Sequence, residues 1–269
     1  MRPSITTALT GVATVAVMLT ASPAALAVEE GCQGFGPQTP RDIDQLAGTN
    51  PRSFSLAPPS SELNLCNIHF HQNAEHKAAA FSIATKGDKD GVGGGFQCGL
   101  TTSLSDAELK PVKEEVCGGI EPGDTIEVHW VFSSCAVAPG PGLGSCLASN
   151  CANPDLRVET QVFTVVNDDD AIDFEDLDYA GSAQDGLHQP KAIPSNTGAP
   201  VQFAGSTTGP SFSESACSPL QVSWSVRPQC AKVDINSLAR WCEDNAFDEN
   251  KAHGVRELVT NPALLSKIH

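Results

Sequence analysis

Ten cysteines in a chain of 269 residues limit this sequence more than any other feature. In a reducing cytosol so many thiols persist chiefly as metal ligands, yet no two of them form a C-x-x-C knuckle. Disulfides remain, and they demand an oxidising compartment. The N-terminus supplies the route there. Residues 1–27 carry a single charge, Arg2, then a run of apolar and small residues from 8 to 21, then Ala25-Leu26-Ala27, which fits the small-x-small rule for signal cleavage. The run is too short and too rich in Thr for a membrane anchor, which needs about 20 strongly apolar residues. We therefore expect a signal peptide over residues 1–27 and a mature chain from near Val28, exported to the periplasm or the extracellular space. Every cysteine lies beyond the cleavage point, and most of the ten are expected to be bridged.

Charge narrows the partners. With 16 Lys+Arg against 32 Asp+Glu the net charge is −16, which leaves no basic footprint for nucleic acid and disfavours anionic membrane surfaces. Hydrophobic residues at 40% are too many for a disordered chain. No segment of the mature chain is apolar enough to span a bilayer. No feature of the sequence specifies an oligomeric state.

Residues 28–62 are punctuated by Pro and Ser and lack periodicity, so they read as an N-terminal arm wrapped on the domain that follows, residues 63–269. Within that domain, residues 63–70 alternate with the period of a strand. Both His69 and His71 fall on one face, and Cys66, Ile68 and Phe70 on the other. Residues 125–133, 156–166 and 220–226 are strands of the same kind. Helical periodicity is confined to residues 106–116 and 235–243. The acidic run 168–178 lacks the D-x-D-x-D-G frame of a calcium loop and reads as solvated, as does Asp88-Lys89-Asp90-Gly91. Strands dominate and no linker divides the domain. The expected fold is a predominantly β (α+β) single domain on a twisted, mainly antiparallel sheet.

His69-Phe70-His71 is the sharpest chemical feature. Chance gives about 0.2 such pairs for 7 His in 269 positions. On a strand the two imidazoles point to one face and can converge on one ion at about 2.0–2.1 Å; a pair of polar histidines on a solvated face is the plainer alternative. Glu127-Val128-His129 offers a third imidazole on another strand, with a carboxylate on the same face to fix its tautomer. Three neutral histidines would leave Zn²⁺ its full charge and an open fourth position, a site that makes hydroxide from water near neutral pH.

The segment Asn67-Ile68-His69-Phe70-His71-Gln72-Asn73-Ala74-Glu75-His76 resembles the N-x-H-x-H-x-x-A-E-H segment of delta-class carbonic anhydrases. The resemblance continues through Glu127-Val128-His129-Trp130 and Leu156-Arg157-Val158-Glu159-Thr160. It is also similar to the alpha class, whose H-x-H strand, S-E-H segment, E-x-H strand and G-S-L-T-T-P-P loop before a V-x-W strand occur in the same order as Ala74-Glu75-His76, Glu127-Val128-His129, Gly205-Ser206-Thr207-Thr208-Gly209-Pro210 and Val222-Ser223-Trp224 here. Only three residues separate His71 from Glu75, where the alpha class has a longer connection, and the threonine loop is one residue shorter. The alpha-class comparison leaves out the arm before residue 60 and the tail after Val226.

What the resemblance implies is an alpha-carbonic-anhydrase-like fold and a lyase that hydrates carbon dioxide reversibly to bicarbonate and a proton by a zinc-bound hydroxide. His69, His71 and His129 would bind Zn²⁺, with Glu127 behind His129. Thr207 would accept from the hydroxide and donate to Glu75, Thr208 would line the opposite wall, and Val131, Val222 and Trp224 would form an apolar substrate pocket. His76 either replaces His129 as third ligand or lies buried beneath the site as a scaffold, the role the family match favours. His188, His253 and His269 are all available as proton relays, and the sequence singles out none. Two other readings stand beside this one: a secreted, non-catalytic zinc-binding module, which would close the fourth position with Cys or carboxylate, and a metallohydrolase for larger substrates, which would need a free general base.

Overall fold

The computed structural model describes residues 32, 34–46, 48–87, 94–183, 185–207, 212–213, 215–255 and 259–268. The expected signal peptide over residues 1–27, the Asp88-Lys89-Asp90-Gly91 stretch, Thr208 and His269 therefore lie outside the described residues. Nine strands occur among them: β1 (Asn64–Gln72), β2 (Phe81–Thr85), β3 (Gly95–Cys98), β4 (Thr125–Ser133), β5 (Leu156–Val166), β6 (Val201–Ser206), β7 (Gln221–Val226), β8 (Ala231–Asp234) and β9 (His253–Gly254). Seven form one sheet in the order β6-β7-β5-β4-β1-β9, with β8 also pairing with β5; β2 and β3 form a separate ribbon.

The sheet is mixed. β1-β4, β4-β5 and β6-β7 are antiparallel as expected, but β5 takes β7 and β8 as parallel neighbours at successive stretches of its length, and β9 runs parallel to β1. These crossovers leave no mark in local periodicity. Strand alternation itself holds well: Ile126, Val128, Trp130 and Phe132 of β4 enter one apolar cluster, while Val131 of the other parity enters the second. Both faces of β4 are covered, which is why all nine of its residues are buried.

β1 departs from strict alternation at one point. Its pairing with β4 skips a residue between Leu65 and Asn67, and the extra residue is Cys66. Such a bulge reverses the parity that precedes it. Leu65 consequently packs with Ile68 and Phe70, and Cys66 packs with Val131 and Trp224 on the histidine side of the sheet, contrary to the expected opposite face. It is bridged to Cys146.

Only one α-helix is present among the described residues, α1 (Ile235–Glu243), where the sequence placed it. Asp234 caps it by accepting from Ser237 N at 2.9 Å, and Ile235, Leu238 and Trp241 turn one face into the first cluster. Residues 106–109 form a turn and 110–116 are irregular, instead of the expected helix over 106–116. Nor is the acidic run 168–178 simply solvated. Phe174 and Leu177 are buried in the same cluster, and Asp178 accepts from Trp241 Nε1 at 2.8 Å. Five disulfides, Cys32–Cys217, Cys66–Cys146, Cys98–Cys230, Cys117–Cys242 and Cys135–Cys151, use all ten cysteines and are compatible with export. Among the described residues no helix is long and apolar enough to cross a membrane.

Candidate metal centre

Register builds the site. In the β1-β4 ladder His69 stands opposite His129, and His71 opposite Glu127. Residues two apart share a face, so all four side chains project from one side of the sheet. One nitrogen from each of His69, His71 and His129 lies within 4.8 Å of the others, and the ring centroids are 5.4, 5.0 and 5.0 Å apart.

Hydrogen bonds fix two of the three tautomers. Asn67 Nδ2 donates to Gly140 O at 3.1 Å, which leaves Oδ1 to accept from His69 Nδ1 at 2.7 Å. His69 then presents a bare Nε2. His129 Nε2 donates to Glu127 Oε1 at 2.8 Å, so His129 presents a bare Nδ1. These two nitrogens face each other at 3.3 Å. Two lone pairs so close repel unless a cation lies beside both, and nitrogens bound at ~2.0–2.1 Å to a tetrahedral ion stand about 3.3–3.4 Å apart. The donor set therefore fits Zn²⁺.

Behind the triad, His76 Nδ1 donates to Glu127 Oε1 at 2.7 Å and His76 N to Glu127 Oε2 at 3.0 Å. The His76 ring is fully buried and lies 4.9 Å from that of Trp224. His76, Glu127 and His129 form a second cluster of potential donors, but there the carboxylate already accepts from both rings.

Burial, then mutual repulsion with His129 and His71, pushes the His69 imidazolium well below its usual range, and burial brings His71 down to about 4. Both rings are thus neutral and able to donate at neutral pH. Burial alone would raise Glu75; the Arg41 guanidinium, Nη1 at 3.1 Å, and the neighbouring His71 and His129 hold it at about 2 instead. Thr207 follows β6 directly, and its hydroxyl lies 3.3 Å from Ser218 Oγ.

A cavity of about 340 Å³ opens over the triad. Its apolar wall is a row set by register: Asn67 faces Val131, Val131 faces Val158, and Val158 faces Trp224. Val131, Val158, Trp224 and Thr207 all line it, whereas Val222 does not. Val222 is buried in the same apolar cluster as Val131, Val158 and Trp224.

Three contributors escaped the sequence reading in their roles, and a fourth, His253, stood there only as one of several available proton relays. Asn67 could have been found, because it precedes His69 by two on the same strand face. Val158 lies within a segment already singled out, but only the pairing with Val131 and Trp224 gives it a function. His253 is placed by β9, its ring 5.5 and 5.7 Å from those of His69 and His71, with Nε2 2.7 Å from Glu249 Oε1. Arg41 comes from the arm. No local signal marks either of these last two.

A mixed sheet carrying three convergent histidines beside an apolar pocket defines a class of β-sheet protein with a site that could hold a metal ion next to a small ligand. The delta carbonic anhydrase family model matches residues 60–237, and the chain belongs to that family. It is a carbonic anhydrase, an enzyme of carbon dioxide hydration. No curated protein matches it. An alpha-carbonic anhydrase from Thermovibrio ammonificans, solved with the inhibitor sulfanilamide, is similar at 15% identity over 86% of each chain, with a TM-score of 0.29.

Proposed function

We propose that His69, His71 and His129 hold Zn²⁺ and that the chain hydrates carbon dioxide to bicarbonate and a proton at that centre. The observation that carries this reading is the 3.3 Å approach of His69 Nε2 and His129 Nδ1, two nitrogens stripped of protons by Asn67 and Glu127. When bound, zinc supplies Lewis acidity that makes hydroxide available from water near neutral pH.

The protein's own groups do the rest. Glu127 keeps the His129 proton on Nε2 and so holds Nδ1 toward the centre. His76 anchors Glu127 from behind, in the scaffold role rather than as a ligand. Val131, Val158 and Trp224 exclude water from the wall on which an uncharged, linear substrate would rest. By the family resemblance the Thr207 hydroxyl would orient the oxygen nucleophile and donate a hydrogen bond to the Glu75 carboxylate. By the same resemblance Thr208 would line the opposite wall. The signal segment and the disulfides support export, with the arm over residues 28–62 and the catalytic domain over 63–269. Family membership sets the non-catalytic module aside.

Metal analysis combined with stopped-flow hydration on the purified mature chain tests this. Stoichiometric zinc and hydration activity are expected in the wild type, and both should be lost together in His129→Ala. Full zinc and full activity in His129→Ala would overturn the ligand assignment.

A further inference from the structure

The family segment begins at residue 60, yet several contacts that fix the back of the site come from residues 38–41. Thr39 Oγ1 donates to Ser206 O and accepts from Ser206 N at 3.0 Å, immediately before Thr207. Gln38 Oε1 accepts from Ser218 N at 2.9 Å and from Ser206 Oγ at 3.2 Å, and its amide donates to Ser218 O at 3.1 Å. Ser218 is the hydroxyl partner of Thr207, and the neighbouring Cys217 is bridged to Cys32 at the start of the described arm. The approach is close enough that a Cβ on Gly205 would sit 2.7 Å from Thr39 Oγ1 and 3.1 Å from Thr39 Cα.

Arg41 adds a charge. It is 7% exposed, with Nη1 3.1 Å from Glu75 Oε1, while its Nε is buried without a hydrogen-bond partner. Such a pair is weak support for stability, because desolvation of both ions offsets their attraction. Position is the better account. Arg41 and Thr207 line the same small cavity of about 10 Å³, together with Gln38, Thr39 and Ser206, so the arginine that pairs with Glu75 also borders the segment carrying Thr207.

We propose that the arm preceding the family segment completes the active site. Arg41 is a positioning residue for Glu75, and Gln38 and Thr39 clamp the loop that carries Thr207. This rests on the hydration reading above, in which Glu75 and Thr207 act together.

The experiment is a double-mutant cycle on the mature protein, begun only after the wild type has been seen to hold zinc and hydrate carbon dioxide; a wild type that does neither refutes the hydration reading and not the clamp. Arg41→Met should retain zinc and lower kcat/KM by about tenfold or more, since a misplaced orienting group costs on that order. In a Glu75→Gln background, where the charge to be positioned is gone, Arg41→Met should cost less than about twofold further. The double variant carries no unpaired buried charge and is measurable even where Arg41→Met alone does not fold. Equal losses in both backgrounds, or wild-type kcat/KM in Arg41→Met, would overturn the role of Arg41. Hydrogen exchange of the zinc-free protein reads the clamp without activity: Thr39→Val should speed exchange of the Ser206 and Thr207 amides, and unchanged exchange would overturn that part.

Discussion

Replacing Glu127 with Gln removes one charge and one acceptor from the most heavily shared group in the site. In the wild type its carboxylate accepts from His129 Nε2 at 2.8 Å, His76 Nδ1 at 2.7 Å and His76 N at 3.0 Å, all buried. An amide cannot satisfy all three. With its oxygen toward the two rings, its NH₂ meets the His76 backbone N–H, donor against donor. Turned round, it faces His129 Nε2, and His129 can relieve the clash only by moving its proton to Nδ1, the nitrogen assigned to the metal. One orphaned buried donor costs about 1–3 kcal/mol of stability, and loss of a carboxylate behind a metal-bound imidazole lowers metal affinity about 10- to 100-fold. Burial opposes the charge on Glu127, but His76 and His129 outweigh it and hold the carboxyl well below the usual carboxylate range. The defect should therefore persist at every pH from about 5 upward. Chelator competition gives the zinc affinity, and urea unfolding of the metal-free protein gives the stability. Zinc affinity within about threefold of wild type, with an unchanged unfolding midpoint, would refute the reasoning.

Thr207→Ala should keep zinc while lowering kcat/KM by at least about tenfold, because orientation is lost and the ligands are untouched; equal activity in wild type and variant would place the orienting role elsewhere. Val158→Phe fills the apolar wall between Val131 and Trp224, and stopped-flow hydration should fall about tenfold or more at constant zinc content. In the metal-free protein His71 titrates near 4 when folded and near 6.5 when unfolded, so the unfolded chain takes the proton first. Its share of stability, about 3 kcal/mol at about 1.4 kcal/mol per pH unit, should be lost as pH falls from 6.5 to 4, and a flat urea midpoint across that window would contradict the burial argument. Glu75, held at about 2, should act in a lower window, its share disappearing as pH falls from 4.5 toward 2.

Much of the candidate site was legible in the chain because strand alternation is local. His69 and His71 share a face whatever β1 pairs with, Glu127 and His129 share a face for the same reason, and α1 lies where its apolar spacing put it. An even set of cysteines behind an expected signal segment likewise pointed to disulfides without any knowledge of the fold. Tertiary structure alone decided that His69 lies opposite His129 and that Val131, Val158 and Trp224 fall in one row, because register depends on which strands meet and on what each face must bury. The bulge at Cys66 shows how far one such non-local choice reaches, since a single extra residue moved that side chain to the other face. Cysteine count gave no pairing: Cys146 and Cys151 stand five apart and bridge to Cys66 and Cys135 instead of each other. Arg41 and His253 lie more than 200 residues apart in sequence, and both reach the site only because packing brings the arm and the tail onto the same sheet, for which local periodicity carries no signal.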